Sequence, residues 1–251
     1  MTHLRVRPLI VESVRPSEPC AACDARPFSV CNAIDQRDIE RLAALAVSLT
    51  VDAGRTFIEE GDPAEHFFNV TAGTAKLFKL LPDGRRQITG FASMGTFLGL
   101  AVSSTYAFGA EAVEPMRICR FARPKLRALL DDFPAMEKRL LEVASNELVA
   151  AQEQMLLLGR KTARERLASF LVTRRAACIS AIGAPCGHRA AEKVTLPMTR
   201  SDIADYLGLT IETVSRTLTR FKSERLIDIP SAADIVIRDH AALESLATGL
   251  H

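Results

Sequence analysis

Between residues 50 and 122, apolar and polar positions change over in short runs. A turn signal interrupts them at Ala53-Gly54, Glu60-Gly61-Asp62-Pro63, Ala72-Gly73, Pro82-Asp83-Gly84 and Met94-Gly95. The runs between these signals, among them Phe67–Val70, Ala75–Leu80 and Arg86–Phe91, predict strands of an antiparallel sandwich or barrel. Asp83-Gly84 suits a hairpin tip. After Pro124 the period becomes helical. From Phe133 to Arg174 the chain has one proline, Pro134, and one glycine, Gly159. Within this stretch Leu141, Ala144, Leu148, Ala151, Met155 and Leu158 recur at alternating spacings of 3 and 4, the seam of a two-stranded coiled coil. Such a stripe also fits one helix packed on its own domain. A second apolar set, Met136, Leu140, Val143 and Leu156, predicts both, with one face for a partner helix and one for the helix's own domain.

The most informative pattern is Thr199 to Glu224, TRSDIADYLGLTIETVSRTLTRFKSE. Thr199 is a candidate cap for a helix ending at Leu207, with Ile203, Ala204 and Leu207 facing inward. Gly208 supplies a left-handed terminator, and Thr210 caps a second helix. On that helix Ile211, Val214, Leu218 and Phe221 form an apolar stripe, and Glu212, Ser215, Arg216 and Arg220 a polar one. A recognition helix needs this division, because its polar face enters the major groove. There Arg can bond both acceptors of guanine, and Glu can accept from the cytosine amino group. Strand-like flanks at Lys193–Leu196, Leu226–Ile229 and Ile235–Arg238 predict a winged helix-turn-helix.

Charge supports that assignment. The chain has 251 residues and a net charge of only +2. Residues 160–225, however, carry 13 Lys and Arg against 6 Asp and Glu, a local +7 that leaves −5 elsewhere. Such asymmetry is the electrostatic footprint of a nucleic-acid-binding block, here for double-stranded DNA. The expected organisation is a flexible arm (1–19), a cysteine loop (20–31), a sensor β-domain (32–132), a dimerisation helix (133–159) and the DNA-binding domain (160–251).

A composition of 48% hydrophobic and 25% charged residues is that of a folded globular chain. No apolar run reaches the roughly 18 residues that span a bilayer. The N-terminal stretch Pro8–Val11 is too short for a signal-peptide core. The chain is therefore expected to stay in the cytoplasm, without a membrane partner and with reduced thiols. In that setting Cys20-x2-Cys23-x7-Cys31 gives three thiolates within reach of one metal centre. Cys119, in the strand-like Arg117–Phe121, is a candidate fourth, although alone it also fits a small core residue. Four soft ligands suit either Zn²⁺ or an iron–sulfur cluster. Cys178 and Cys186 fit no ligand pattern and are expected to be a core thiol and a loop thiol. His3 and His66 are conceivable haem ligands without a recognisable site around them, and His66 is expected at a surface turn. No triad, phosphate loop or carboxylate pair indicates an enzyme.

A β-roll, a long helix and a C-terminal winged helix-turn-helix, in that order, resemble the CRP/FNR superfamily of transcription regulators over nearly the whole chain from Cys20. The fold class implied is α+β: a cupin-like antiparallel jelly roll, a dimerisation helix and the winged domain. Ile211-Glu212-Thr213-Val214-Ser215-Arg216 matches the Glu-x-x-Ser-Arg signature of the oxygen-responsive FNR/FnrN/FixK branch. The resemblance implies a homodimeric activator reading a TTGAT-N4-ATCAA palindrome. Glu212 and Arg216 would then meet the central G·C pair and its neighbour, Ser215 thymine, and Thr213 and Arg220 phosphates. It implies one [4Fe–4S] cluster per subunit on Cys20, Cys23, Cys31 and Cys119, leaving structural zinc or a non-cluster input as the alternative. It also implies an RNA polymerase contact near Leu81–Arg85. A cyclic nucleotide is not expected. Leu100 stands where that subfamily has Glu, and the segment Ser104–Ala110 has no Arg.

Overall fold

The computed structural model describes residues 20–100, 103–182 and 193–249, without the side chains of 177–182. The expected arm, His3 and Cys186 lie outside the described residues, as does the side chain of Cys178. Three short 3-10 turns (Cys20–Ala22, Arg26–Phe28, Val30–Ala33) lead into helix α1 (Ile39–Ala43). Then follow strands β1 (Ala46–Val51), β2 (Thr56–Ile58), β3 (His66–Ala72), β4 (Ala75–Leu80), β5 (Arg86–Ala92), β6 (Phe97–Leu98), β7 (Gly109–Ala112) and β8 (Met116–Ala122). Helices α2 (Arg123–Leu130), α3 (Pro134–Arg160) and α4 (Ala163–Ile182) come next. The chain ends with β9 (Lys193–Thr195), α5 (Arg200–Leu207), α6 (Ile211–Ser223), β10 (Ile227–Asp228), β11 (Asp234–Ile237) and α7 (His240–Thr248).

Contacts divide the chain into two units that are not consecutive segments. The first takes residues up to Ala75 together with Ala92–Arg139. The second takes Lys76–Phe91 together with Leu140–His251. The β4–β5 hairpin therefore groups with the C-terminal part.

In the first unit the strand order β1-β8-β3-β6 makes a four-stranded antiparallel sheet, and β2 pairs antiparallel with β7. This is the antiparallel β architecture expected from the turn spacing, in the jelly-roll form that the resemblance implied. Side chains alternate across a strand, so the register assigns the faces of the sheet. Phe68 packs edge-on against Phe57 of β2, with ring centroids 5.7 Å apart, so its face looks toward the β2 layer. The opposite face carries Phe67, Phe97 and Phe121, with centroids 5.6 and 6.4 Å apart. Ser48, Cys119 and Asn69 stand side by side on that same face across β1, β8 and β3. His66 is not at a surface turn. It opens β3, half-buried, and Tyr106 Oη both accepts its N–H and donates to its carbonyl.

In the second unit α3 continues through Gly159, whose added Cβ would meet nothing. It stops where Arg166 donates to Leu158 O in its last turn at 2.8 Å and to Lys161 O just past its end at 2.9 Å. Leu141, Leu148 and Met155 are 68%, 61% and 65% exposed, Ala144 and Ala151 are exposed, and Leu158 is half-buried. The second apolar set needs correction. Met136 is buried and Leu140 and Val143 are half-buried, but Leu156 is exposed and Leu157 turns inward instead. At 100° per residue, moving one position carries a side chain from one face to the next. The wing is a three-stranded sheet in the order β10-β11-β9.

Candidate functional site

The helix-turn-helix is set by its caps. Thr199 and Asp202 form a reciprocal capping box: Thr199 Oγ1 accepts from Asp202 N at 3.1 Å, and Asp202 Oδ2 accepts from Thr199 N at 3.0 Å. Gly208 ends α5 at φ +60°, the left-handed region where a side chain is disfavoured. Thr210 caps α6 by accepting from Thr213 N at 3.2 Å. The buried stripe of α6 is Val214, Thr217, Leu218 and Phe221. Ile211 does not belong to it. As the first helical residue it lies on the open turn, 44% exposed, and Thr217 fills the inner position with its hydroxyl bonded to Thr213 O at 2.7 Å. Sequence reading missed Thr217 because a threonine at that spacing looks polar, whereas its hydroxyl is satisfied within the helix.

The outward face carries Glu212, Ser215, Arg216 and Arg220, all exposed, with Thr213 half-exposed beside them. The Glu212 carboxyl is held below the usual carboxylate range, chiefly by its own backbone N–H and then by Thr210, so it is an acceptor at neutral pH. Arg220 Nε is held by Glu224 at 2.8 Å. The face is therefore a set of exposed charged and hydroxyl side chains on one capped helix, which is the form a major-groove reader takes.

The second candidate centre lies in the first unit. The loop bearing Cys20, Cys23 and Cys31 is folded by local bonds. Ser29 Oγ accepts from Cys31 N at 3.2 Å, Arg26 N donates to Cys23 O at 3.0 Å, and Arg26 Nη2 donates to Ile34 O at 2.6 Å. Ala25, Val30 and Ile34 are almost wholly buried, so the loop is anchored by apolar side chains. Gly95, at φ +90°, meets this loop so closely that a Cβ there would lie 2.7 Å from Phe28 O. Neither Ser29 nor Gly95 is signalled by spacing, since each acts on a neighbour that only folding supplies.

Among the described residues, these anchors bring the thiols of Cys20, Cys23, Cys31 and Cys119 into one electrostatic neighbourhood. Burial pushes the Cys119 thiol up to about 12, with further upward pressure from Cys20, Cys31 and Cys23. Burial likewise takes Cys31 to about 11, with Cys20 and Cys23 adding to it while Ser29 opposes. Cys20 is raised by burial and by Cys23. Four thiolates here would repel one another unless a cation sat among them, and soft thiolates favour zinc or iron–sulfur centres. Among the described residues no three Cys, His, Asp or Glu converge as ligands of a single metal ion. Tetrahedral zinc, with bonds of about 2.3 Å, needs sulfurs about 4 Å apart. A polynuclear cluster places several irons between its ligands and accepts a wider set.

A third feature is a cleft of about 690 Å³ whose lining includes Arg55, Phe57, Glu59, Asp62, Glu65 and Tyr106. Burial and the neighbouring Asp62 raise the Glu59 carboxyl. Glu59, Asp62 and Glu65 make most of the charged rim acidic, with Arg55 the one arginine among its lining residues.

Known families match both parts of the chain. Residues 48–133 match the cyclic nucleotide-binding domain and residues 165–246 the Crp-like helix-turn-helix domain. The chain is 40% identical over 228 residues to the nitrogen fixation regulation protein FixK of Bradyrhizobium diazoefficiens, covering 91% of this chain and 93% of that protein. It is 35% identical to the transcriptional activator protein FnrL of Cereibacter sphaeroides, covering 89% and 90%. The solved structure of FixK2 from Bradyrhizobium japonicum superposes with a TM-score of 0.73 at 34% identity, covering 80% of this chain and 96% of that one. With the capped recognition helix and the jelly roll in place, these similarities establish that the chain belongs to the FNR/FixK branch of the CRP/FNR family of DNA-binding transcription regulators.

Proposed function

We propose that this regulator is an oxygen-responsive activator. In this reading it binds a TTGAT-N4-ATCAA palindrome as a homodimer while a [4Fe–4S] cluster is held by Cys20, Cys23, Cys31 and Cys119. The observation that carries the sensing half is the shared electrostatic neighbourhood of four thiols, three from a folded loop and one from β8. When bound, the cluster supplies an oxygen-labile link between that loop and the sheet. The chain's own residues do the rest. Ser29 and Arg26 shape the loop, Gly95 lets it dock, and Cys119 fixes the partner strand. Loss of the fourth ligand would leave the loop tied only by its apolar anchors.

Leu141, Ala144, Leu148, Ala151, Met155 and Leu158 form the dimer seam, a role supported by the row of exposed apolar side chains that α3 presents. Pairing two α3 helices would set two α6 helices about one DNA turn apart, roughly 34–36 Å. Glu212 and Arg216 then read the G·C pair and its neighbour, Ser215 lies near thymine, and Thr213 and Arg220 hold phosphates. The hairpin tip near Leu81–Arg85 is the surface offered to RNA polymerase, and Leu80 and Leu81 there are exposed. The names of the relatives favour activation, with nitrogen fixation as one physiological setting.

The test is a visible spectrum with iron and sulfide assay on anaerobically purified protein, repeated after admitting air. About four iron and four sulfide per chain, bleaching in air and lost in Cys119→Ser, is the expected result. A colourless protein with one zinc would refute the sensing half and leave DNA recognition standing.

A further inference from the structure

Helix α5 is gripped at both ends by side chains from outside the helix-turn-helix. At its N-terminus Asp202 spends one oxygen on the capping box and offers the other, Oδ1, to Lys76 Nζ of β4 at 2.9 Å and to Arg86 Nη2 of β5 at 3.4 Å. The Lys76 and Asp202 side chains are only 10% and 5% exposed, so this is a buried pair. Arg86 also reaches Asp205 Oδ2 at 3.2 Å. At the other end, where a helix leaves carbonyls unsatisfied, Gln87 Nε2 donates to Asp205 O at 2.6 Å and Gln154 Nε2 of α3 donates to Tyr206 O at 2.9 Å. The Tyr206 ring lies against Phe91 and Phe170, centroids 5.4 and 5.7 Å away.

None of these groups belongs to the outward face of α6. Glu212, Ser215 and Arg216 stay exposed, so the grip fixes the pose of the helix pair without covering its reading surface. Without Lys76, Asp202 Oδ1 would keep only the longer contact to Arg86 at 3.4 Å, and a buried carboxylate short of its main cation is disfavoured where it stands.

We infer that Lys76 and Asp202 are positioning residues for DNA recognition: through them the β4–β5 hairpin holds α5, and with it α6, in one pose on α3. The inference rests on the dimeric reading above, because a fixed pose matters most when two recognition helices must meet two half-sites together. Binding a second half-site gains from effective concentration only if the geometry allows simultaneous engagement. Freeing α5 therefore weakens two-site binding while leaving one-site binding intact.

The experiment is fluorescence anisotropy with anaerobic full-length protein on two duplexes of equal length, one carrying TTGAT-N4-ATCAA and one carrying a single half-site. The wild type is expected to prefer the palindrome. Lys76→Met should lose about tenfold or more on the palindrome and less than twofold on the half-site, and Lys76→Arg should retain most of the preference. Should Lys76→Met fail to fold by circular dichroism, Arg86→Gln, at the more exposed rim of the same grip, should show the same pattern in weaker form. A folded variant that matches wild type on both duplexes, or loses equally on both, overturns the inference and leaves the dimeric reading standing. A wild type indifferent to the second half-site refutes that reading and this inference with it.

Discussion

Arg220 donates from Nε to Glu224 Oε1 at 2.8 Å, while the other oxygen of Glu224 accepts from Arg164 at 2.5 Å. Glu224 thus anchors Arg220 by its inner nitrogen while the Arg220 side chain stays 59% exposed. Arg216 is one turn nearer the helix N-terminus, where base edges are read. Arg216→Ala should cost about 1–3 kcal/mol on the cognate palindrome and relax preference at the G·C pair. Arg220→Ala should weaken cognate and unrelated duplexes alike and reduce the salt slope by about one. Titration of both variants at several salt concentrations separates the two roles.

Gly95 combines a φ of +90° with a main-chain approach to Phe28 that leaves no room for a methyl group. Gly95→Ala should destabilise docking of the cysteine loop by about 1–3 kcal/mol, the usual cost of such strain. Cys31, buried and with its thiol raised, should react slowly with a thiol reagent in the metal-free wild type and markedly faster in the variant. Equal rates would show that the loop does not depend on that approach.

Leu148 is 61% exposed on the subunit, so a charge there should not harm the fold of the monomer. Leu148→Glu should shift the protein from dimer to monomer in light scattering, with an unchanged far-ultraviolet spectrum. A variant that remains dimeric at micromolar concentration would move the seam to another face.

Asp202 carries a pH dependence whose sign can be worked out. Burial alone would raise its carboxyl, but hydrogen bonds from Thr199 and Lys76 outweigh this and hold it below the ordinary value. A carboxyl lowered by folding contributes stability that is complete above its unfolded value, about pH 4. That contribution disappears as pH falls through the folded value. Melting temperature should therefore drop below about pH 4, and Asp202→Asn should flatten that drop while lowering the plateau at neutral pH.

Local signals were the legible ones. Thr199, Gly208 and Thr210 announce their caps by residue type, and turns such as Pro82-Asp83-Gly84 mark strand ends, because both depend on a few adjacent residues. Burial was read less well. Leu157 and Leu156 are the same residue type one position apart, so only the partner surface decides which turns inward. Ile211, expected in the buried stripe, is exposed because it sits at the helix's first turn, and Thr217, which the pattern did not single out, fills the inner position. Cysteine spacing identified the loop thiols, yet the register that sets Cys119 beside Asn69 and Ser48 is a tertiary fact. Lys76 and Asp202 lie 126 residues apart, and neither residue type nor period links them.

The grouping of β4 and β5 with the C-terminal unit bears on how this protein can be taken apart. A fragment starting at Leu140 would keep α3, α4 and the winged domain but would uncover Tyr206 and strip Asp202 of its lysine. Such a piece would be less soluble and less rigid than its tidy linear boundary suggests. A complementary piece ending near Arg139 would separate Phe91 from Phe170 and Tyr206, and Lys76 from Asp202. Cutting between the jelly roll and the winged domain thus severs one folding unit, and grafting this winged domain onto another protein would require the hairpin to travel with it.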